Sequence, residues 1–379
     1  MQLNARRLIS ILLPLYFIIS QSAVSAEYRV MDMNGDVSVI MDGKGKRQLE
    51  MNDEIGSGDI VRTKRDSYLI LKATHLYYRL YPYTAVKIGT EPMLIWGKLG
   101  RSEDERFLDI RFFFIPRPAQ GRTMKVVVQS HRGEITIDSG IEDGKGYYRV
   151  LEFYPYEKNT YRAFTGFDIE AAIEKYNLHI NIHKDDDHTS IVYPFYLRDV
   201  KYGAGRVNIE AAKRSLFAPS ERKKNEWDVL REILHNPSSE SMWNGVFNYP
   251  VVEPVIISNF GRKRVYFIDK TRGSSRFHRG VDFRGETGDP VLAPNNGKVV
   301  FADERVTTGN TLVLDHGQGI YSLFYHLDSI VVNEGTIVNK GLKIAEIGAT
   351  GIAAGSHLHW SIYVNGVWVN PIDWVEINF

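Results

Sequence analysis

From residue 27 onward, apolar positions fall in short runs and period-two alternations broken by glycine, asparagine and aspartate, the pattern of strands joined by tight turns. Over 27–115 the breaks are Asn34-Gly35, Asp42-Gly43 and Gly56-Ser57-Gly58-Asp59, which predicts a small all-β domain. Residues 116–245 open on Pro116-Arg117-Pro118 and carry β-type runs at 124–128, 147–153, 178–182 and 190–195. That layout predicts a β-sandwich, with a short helix inserted at 168–175. One stretch, 220–234, has a helical period instead. Trp227, Leu230, Ile233 and Leu234 line one face, Ser220 is placed to cap the start, and Pro237 lies beyond the end. Residues 246–379 return to strands: a tight hairpin at Pro294-Asn295-Asn296-Gly297, strands at 298–302 and 311–314, an aromatic strand at 321–325 that ends at His326, and a strand pair over 332–348. The expectation is a mainly β, multidomain chain whose last domain is an antiparallel sheet with an open groove at one end.

The first 26 residues follow a different rule. Arg6 and Arg7 precede an apolar run over 8–19 and then small residues ending in Ala23-Val24-Ser25-Ala26, which predicts a secretory signal peptide cleaved after Ala26. The apolar run is short for a bilayer span, and a retained anchor is the alternative. The product is expected to be exported, to the periplasm or cell envelope. Without any cysteine it has neither disulfides nor a thiol to accept a lipid. The net charge of +1, from 47 basic and 46 acidic residues, argues against nucleic-acid binding through a broad basic surface. Arg262-Lys263-Arg264 therefore reads as a solvated turn, or at most a rim contact with an anionic polymer.

Candidate chemistry gathers in the last hundred residues. His278, Asp282, His326, His357 and His359 supply a three-ligand set for a divalent metal and two further imidazoles, which is what metal-assisted hydrolysis requires. On a strand, His357 and His359 point to the same face and Leu358 to the other. His278 and Asp282 would lie about 13 Å apart on a straight strand, too far to share one ion, so the chain must bend between them, and Gly280 permits it. Other histidines fit less well. His183 and His188 flank an acidic run at 185–187 and read as a solvated loop, His316 as a structural residue at a turn, and His75, His131, His179 and His235 have no companions at ligand spacing.

Ser258-Asn259-Phe260-Gly261, Phe277-His278-Arg279-Gly280-Val281-Asp282-Phe283, Gly288-Asp289-Pro290-Val291, Tyr325-His326-Leu327 and Gly355-Ser356-His357-Leu358-His359-Trp360 follow one another in an order that resembles the lysostaphin/LytM-type zinc metallopeptidases, cell-wall endopeptidases. The resemblance covers about 247–374. It implies that His278, Asp282 and His359 bind one Zn²⁺ per chain and that His326 and His357 form the catalytic pair. It also implies an immunoglobulin-like accessory domain at 116–245 and a peptidase domain at 246–379. In the first domain, Gly35-Asp36-Val37-Ser38-Val39 and Gly58-Asp59-Ile60-Val61-Arg62-Thr63 resemble a FecR-type domain, which implies binding or positioning and not chemistry. The Gly-Asp-x-Val repeats near the C terminus are also similar to the lipoyl and biotinyl carrier fold. No lysine sits in a modifiable turn there, and carriers need no histidine cluster.

The implied activity is hydrolysis of peptide bonds in peptidoglycan cross-links or stem peptides. The metal would activate water and polarise the carbonyl while an imidazole takes or returns a proton. Two alternatives are a catalytically idle LytM-like activator of a cell-wall amidase and an envelope scaffold whose N-terminal domains bind envelope partners. The bond cleaved and the oligomeric state stay open at this stage. By the same resemblance, Asn259 lies where an upstream residue could occupy the open metal position and hold the enzyme latent.

Overall fold

The computed structural model describes residues 28–379 except 42–44, 65–66, 74–75, 81–83, 89–91, 97–98, 103–109, 116–117, 131–132, 185–186 and 269. The expected leader at 1–26, His75, His131 and the side chain of His188 lie outside the described residues. The chain is mainly β, as expected, and divides into two compact units, Met1–Leu108 and Asp109–Phe379. Among the described residues no helix is long and apolar enough to cross a membrane.

The first unit consists of two five-stranded sheets. Tyr28–Asn34 lies between Tyr68–Ala73 and Glu54–Ile55 in one, and Val37–Met41 lies between Gly45–Gln48 and Ile60–Thr63 in the other. The alternation seen in sequence sets the core: Tyr28 and Val30, Val37 and Val39, and Leu69 and Leu71 are inward pairs two residues apart.

In the second unit, two four-stranded antiparallel sheets come first. One orders Ile110–Ile115, Thr123–Ser130, Thr160–Gly166 and Tyr154–Glu157; the other orders Tyr148–Val150, Thr136–Glu142, Lys175–Lys184 and Asp187–Tyr196. Ile110–Ile115 pairs along its whole length with the Thr123–Ser130 strand. Between the sheets, the Phe167 ring meets those of Tyr176 and Phe195 edge-on. The short helix expected at 168–175 is absent; turns lead directly into Lys175–Lys184.

These sheets and the C-terminal domain form one unit because aromatic side chains join them. Phe164 is fully buried among Trp243, Trp374 and Phe379, and the Trp374 Nε1 donates to Thr123 Oγ1 at 3.0 Å. Gly166 packs so closely on Val367 and Val369 that a Cβ there would come within 2.8 Å of both side chains.

The helix forms as expected, Glu221–Leu234, with Ser220 accepting from Lys223 N. Its buried face is narrower than the periodicity suggests. Leu230 and Leu234 pack against Val313, Tyr321 and Leu323, whereas Trp227 is 40% exposed, because the sheet surface under the helix meets only one stripe of it.

The C-terminal sheet runs in the order Ile256–Ser258, Val281–Arg284, His357–Val364, Ile320–Ile330, Gly309–Gly317, Gly297–Arg305, Ile337–Val338. Pro294-Asn295-Asn296-Gly297 is a bend and not a hairpin: Pro290–Leu292 pairs with Lys343–Ile347, and Gly297–Arg305 pairs elsewhere. Asn295, buried there, accepts from Asn244 N at 3.2 Å and donates to Asn244 O at 3.1 Å. The strands expected to pair over 332–348 instead join different neighbours. Beside this sheet, Lys263–Ile268 and Thr271–Phe277 make a hairpin extended in parallel by Ala204–Ile209, so Arg262-Lys263-Arg264 leads into a strand and is no free turn.

Candidate metal centre

Adjacent strands in register bring Asp282 directly opposite His359. Their Oδ1 and Nδ1 atoms lie 2.9 Å apart, and His278 Nε2 stands 3.0 Å from each. Ligand atoms of these three buried residues lie within 4.8 Å of one another, and among the described residues this is the one such His and carboxylate group that could hold a metal. The bend between His278 and Asp282 falls where expected, but for a different reason. Gly280 is needed for close approach: a Cβ there would sit 2.5 Å from His359 Nε2 and 2.6 Å from Trp360 O.

Neighbouring hydrogen bonds fix which nitrogen faces the cluster. His278 Nδ1 donates to the Asn259 carbonyl at 2.9 Å, so its Nε2 carries the lone pair. The Ser361 hydroxyl donates to Arg279 O at 2.8 Å, leaving its oxygen to accept from His359 Nε2 at 2.8 Å. His359 Nδ1 is therefore the lone-pair nitrogen. Burial lowers the pKa of His278, and lowers that of His359 to about 4, so both imidazoles stay neutral. Burial opposes ionisation of Asp282, but the donors around it outweigh that and hold its carboxyl well below the usual range. Two neutral imidazoles and a carboxylate, with lone pairs converging, are the donor set a divalent metal needs.

His326 and His357 stand beside this cluster. Their rings are 5.0 Å apart, and His357 Nε2 is 3.9 Å from Asp282 Oδ1. Each Nδ1 donates to a main-chain carbonyl, of Thr350 and Gly355 respectively, both at 2.8 Å, so each ring keeps Nε2 as an acceptor. Burial, reinforced by His357 and His359, pushes the pKa of His326 down to about 3. His326 does not end its strand. Ile320–Ile330 continues through it, with His326 at φ 63°, a left-handed conformation uncommon for a side chain of this size. The structure thus brings all five candidates together.

Sequence reasoning missed Arg264. Its Nη2 donates to Asp282 Oδ2, to His278 Nε2 at 2.8 Å and to Ser258 Oγ at 3.0 Å, placing a guanidinium against the donor cluster. Asn259 reaches the cluster through its backbone carbonyl. The basic run was the available signal, but only the hairpin shows which of its residues turns inward.

Among the described residues, His316, His183 and His179 lie outside the cluster. His316 is buried between Asn296 O and Ser322 Oγ, at 2.6 and 2.8 Å, and burial lowers its pKa to about 4. His183 pairs with Asp138 at 3.1 Å and His179 with Glu142 at 2.9 Å, both in the sandwich.

Residues 276–371 match Peptidase family M23, and the C-terminal part of the chain is an M23 peptidase domain. Curated relatives agree. The chain is 35% identical over 181 residues to an uncharacterized metalloprotease of Haemophilus influenzae, covering 47% of this chain and 36% of that protein. It is 33% identical over 142 residues to the peptidoglycan DD-endopeptidase ShyB of Vibrio cholerae, covering 37% and 32%. It is 31% identical over 121 residues to the murein hydrolase activator NlpD of Salmonella dublin, covering 32% and 29%. The chain thus spans about a third of the length of these relatives. A crystal structure of an M23 protein from Pseudomonas aeruginosa shares the fold over 69% of this chain and 96% of its own, with a TM-score of 0.50 at 22% identity.

Proposed function

We propose that this protein is a zinc-dependent endopeptidase that cuts peptide bonds in peptidoglycan. The observation that carries the reading is the convergence of His278 Nε2, Asp282 Oδ1 and His359 Nδ1 beside a second histidine pair whose Nε2 atoms are free to accept. When bound, zinc would supply a Lewis acid that acidifies water and polarises the scissile carbonyl. His326 and His357 are placed to take a proton and return it to the leaving amine. The site opens on a cleft of about 1010 Å³, wide enough for an extended peptide, with Trp227 and Trp368 in its walls. We read the first unit as a FecR-type binding module, supported by its motifs and its all-β build, and the leader as directing export to the envelope, where the substrate lies.

The similarity to NlpD favours a second reading, an activator without hydrolysis. A complete donor set and an intact histidine pair support the enzyme, since an activator needs neither. Mass spectrometry of muropeptides released by pure protein, with and without a zinc chelator, decides between them. Chelator-sensitive release of cleaved stem peptides is expected; absence of cleavage by zinc-loaded protein would leave the activator.

A further inference from the structure

The cleft is lined by six cationic side chains, among them Lys223, Arg264, Arg276, Arg279 and Arg305, against one carboxylate, Glu170. Most of the buried or half-buried ones are already engaged. Arg279 pairs with Asp168 at 2.8 Å, Lys223 donates to the carbonyls of Leu216 and Ala218, and Arg264 is held by Asp282. Arg305 differs. It is 8% exposed, and among the described residues its Nε is buried with no hydrogen-bond partner and no carboxylate pairs with its guanidinium. Glu226, which accepts from the backbone N of the next residue, Val306, at 3.0 Å, is engaged by Arg222 Nε at 2.8 Å.

A buried, unpaired cation costs free energy, and a fold retains one where something else supplies the counter-charge. Arg305 sits at the end of the Gly297–Arg305 strand and lines the same cleft as His326 and His359. Its charge reaches Tyr325, whose ring stacks on His359 with centroids 4.9 Å apart. A guanidinium presents a planar fork that matches a carboxylate in two parallel hydrogen bonds.

We infer that Arg305 is a substrate-binding residue that takes a free carboxylate of the peptide next to the scissile bond, so that the cleft selects anionic peptides. The inference rests on the endopeptidase reading for its substrate, but not for the existence of the site.

The test compares the full-length wild type with Arg305→Met, which keeps the packed stem and removes the charge, and with Arg305→Lys. Substrates are cross-linked muropeptides with free carboxylates and the same muropeptides after amidation. With free carboxylates, Arg305→Met should raise KM by roughly 10- to 100-fold, the loss expected for a charged hydrogen-bonded pair, with kcat little changed. Arg305→Lys should recover part of the loss, and on amidated substrate wild type and Arg305→Met should agree. Thermal melting separates this from a structural role: removing an unpaired buried charge should leave the melting temperature of Arg305→Met unchanged or raised. Equal cleavage of free and amidated substrate by wild type, or a lowered melting temperature with KM unchanged, would overturn the inference. If wild type cleaves no muropeptide, the function reading fails, and titration of chelator-treated protein with muropeptide, followed by Trp227 and Trp368 fluorescence, decides this one. Tighter binding to wild type than to Arg305→Met supports it, and equal binding sinks it.

Discussion

Ser361 decides which nitrogen of His359 faces the donor cluster: its oxygen accepts from Nε2 while its own hydrogen goes to Arg279 O, both at 2.8 Å, leaving Nδ1 as the lone-pair atom opposite Asp282. Ser361 is two residues beyond His359 on one strand, so its side chain rises on the same face.

Ser361→Ala removes that acceptor and frees the His359 tautomer. Loss of such a supporting hydrogen bond should weaken zinc binding by about 10- to 100-fold while the fold persists. Competition against a chromophoric chelator measures it, and an unchanged affinity would show that the tautomer is set elsewhere.

Arg264 should act in the opposite direction. Its guanidinium donates to the same Asp282 and His278 atoms that a divalent ion needs, so an incoming ion must displace it. Arg264→Met is expected to raise zinc affinity by roughly tenfold, the scale of one charged hydrogen bond. Calorimetric titration of metal-free protein reads this directly.

For the histidine pair, activity and metal content should separate. His326→Ala and His357→Ala should each lower kcat by about 10²- to 10⁴-fold, the usual range for a general acid or base, with one zinc per chain still bound. Metal analysis beside the rate assay distinguishes this from loss of the ion.

Acid should unfold the second unit partly through His316. Its folded pKa of about 4 lies below the ordinary 6.5, so above pH 6.5 it is neutral in both states and contributes no pH dependence. Between 6.5 and 4 the unfolded chain takes up a proton that the fold refuses, and stability falls. Single-site linkage puts the loss near 2 kcal/mol from pH 7 to pH 5. Urea unfolding at both pH values should show a smaller drop for His316→Gln than for wild type.

Phe164 joins the sandwich to the peptidase core through three aromatic rings. Phe164→Ala should cost about 3–5 kcal/mol of stability in the second unit. A denaturant midpoint close to that of wild type would mean that the two parts do not unfold together.

Much of the site was legible because its signals are local. His357 and His359 share a face by strand period alone, and the spacing of His278 and Asp282 by itself demands a bend between them. The helix at 220–234 was equally legible, since its cap and period lie within one segment. What failed was pairing. The expected hairpin at 294–297 is a bend because Gly297–Arg305 pairs with Gly309–Gly317, and the strands over 332–348 separate to different partners. Trp227 matched the helical period but lies at the cleft, because the surface beneath the helix, not the period, decides how wide a stripe is buried.

By itself, the order of residues determined the β-rich class, the five clustered side chains and the single capped helix, since strand alternation, helix period and residue chemistry act over a few positions. Only the tertiary structure decided that Arg264 reaches Asp282, that Ser361 orients His359, and that the Arg305 Nε is buried without a partner among the described residues. Those relations depend on distances and burial between segments far apart in the chain, which no local pattern encodes.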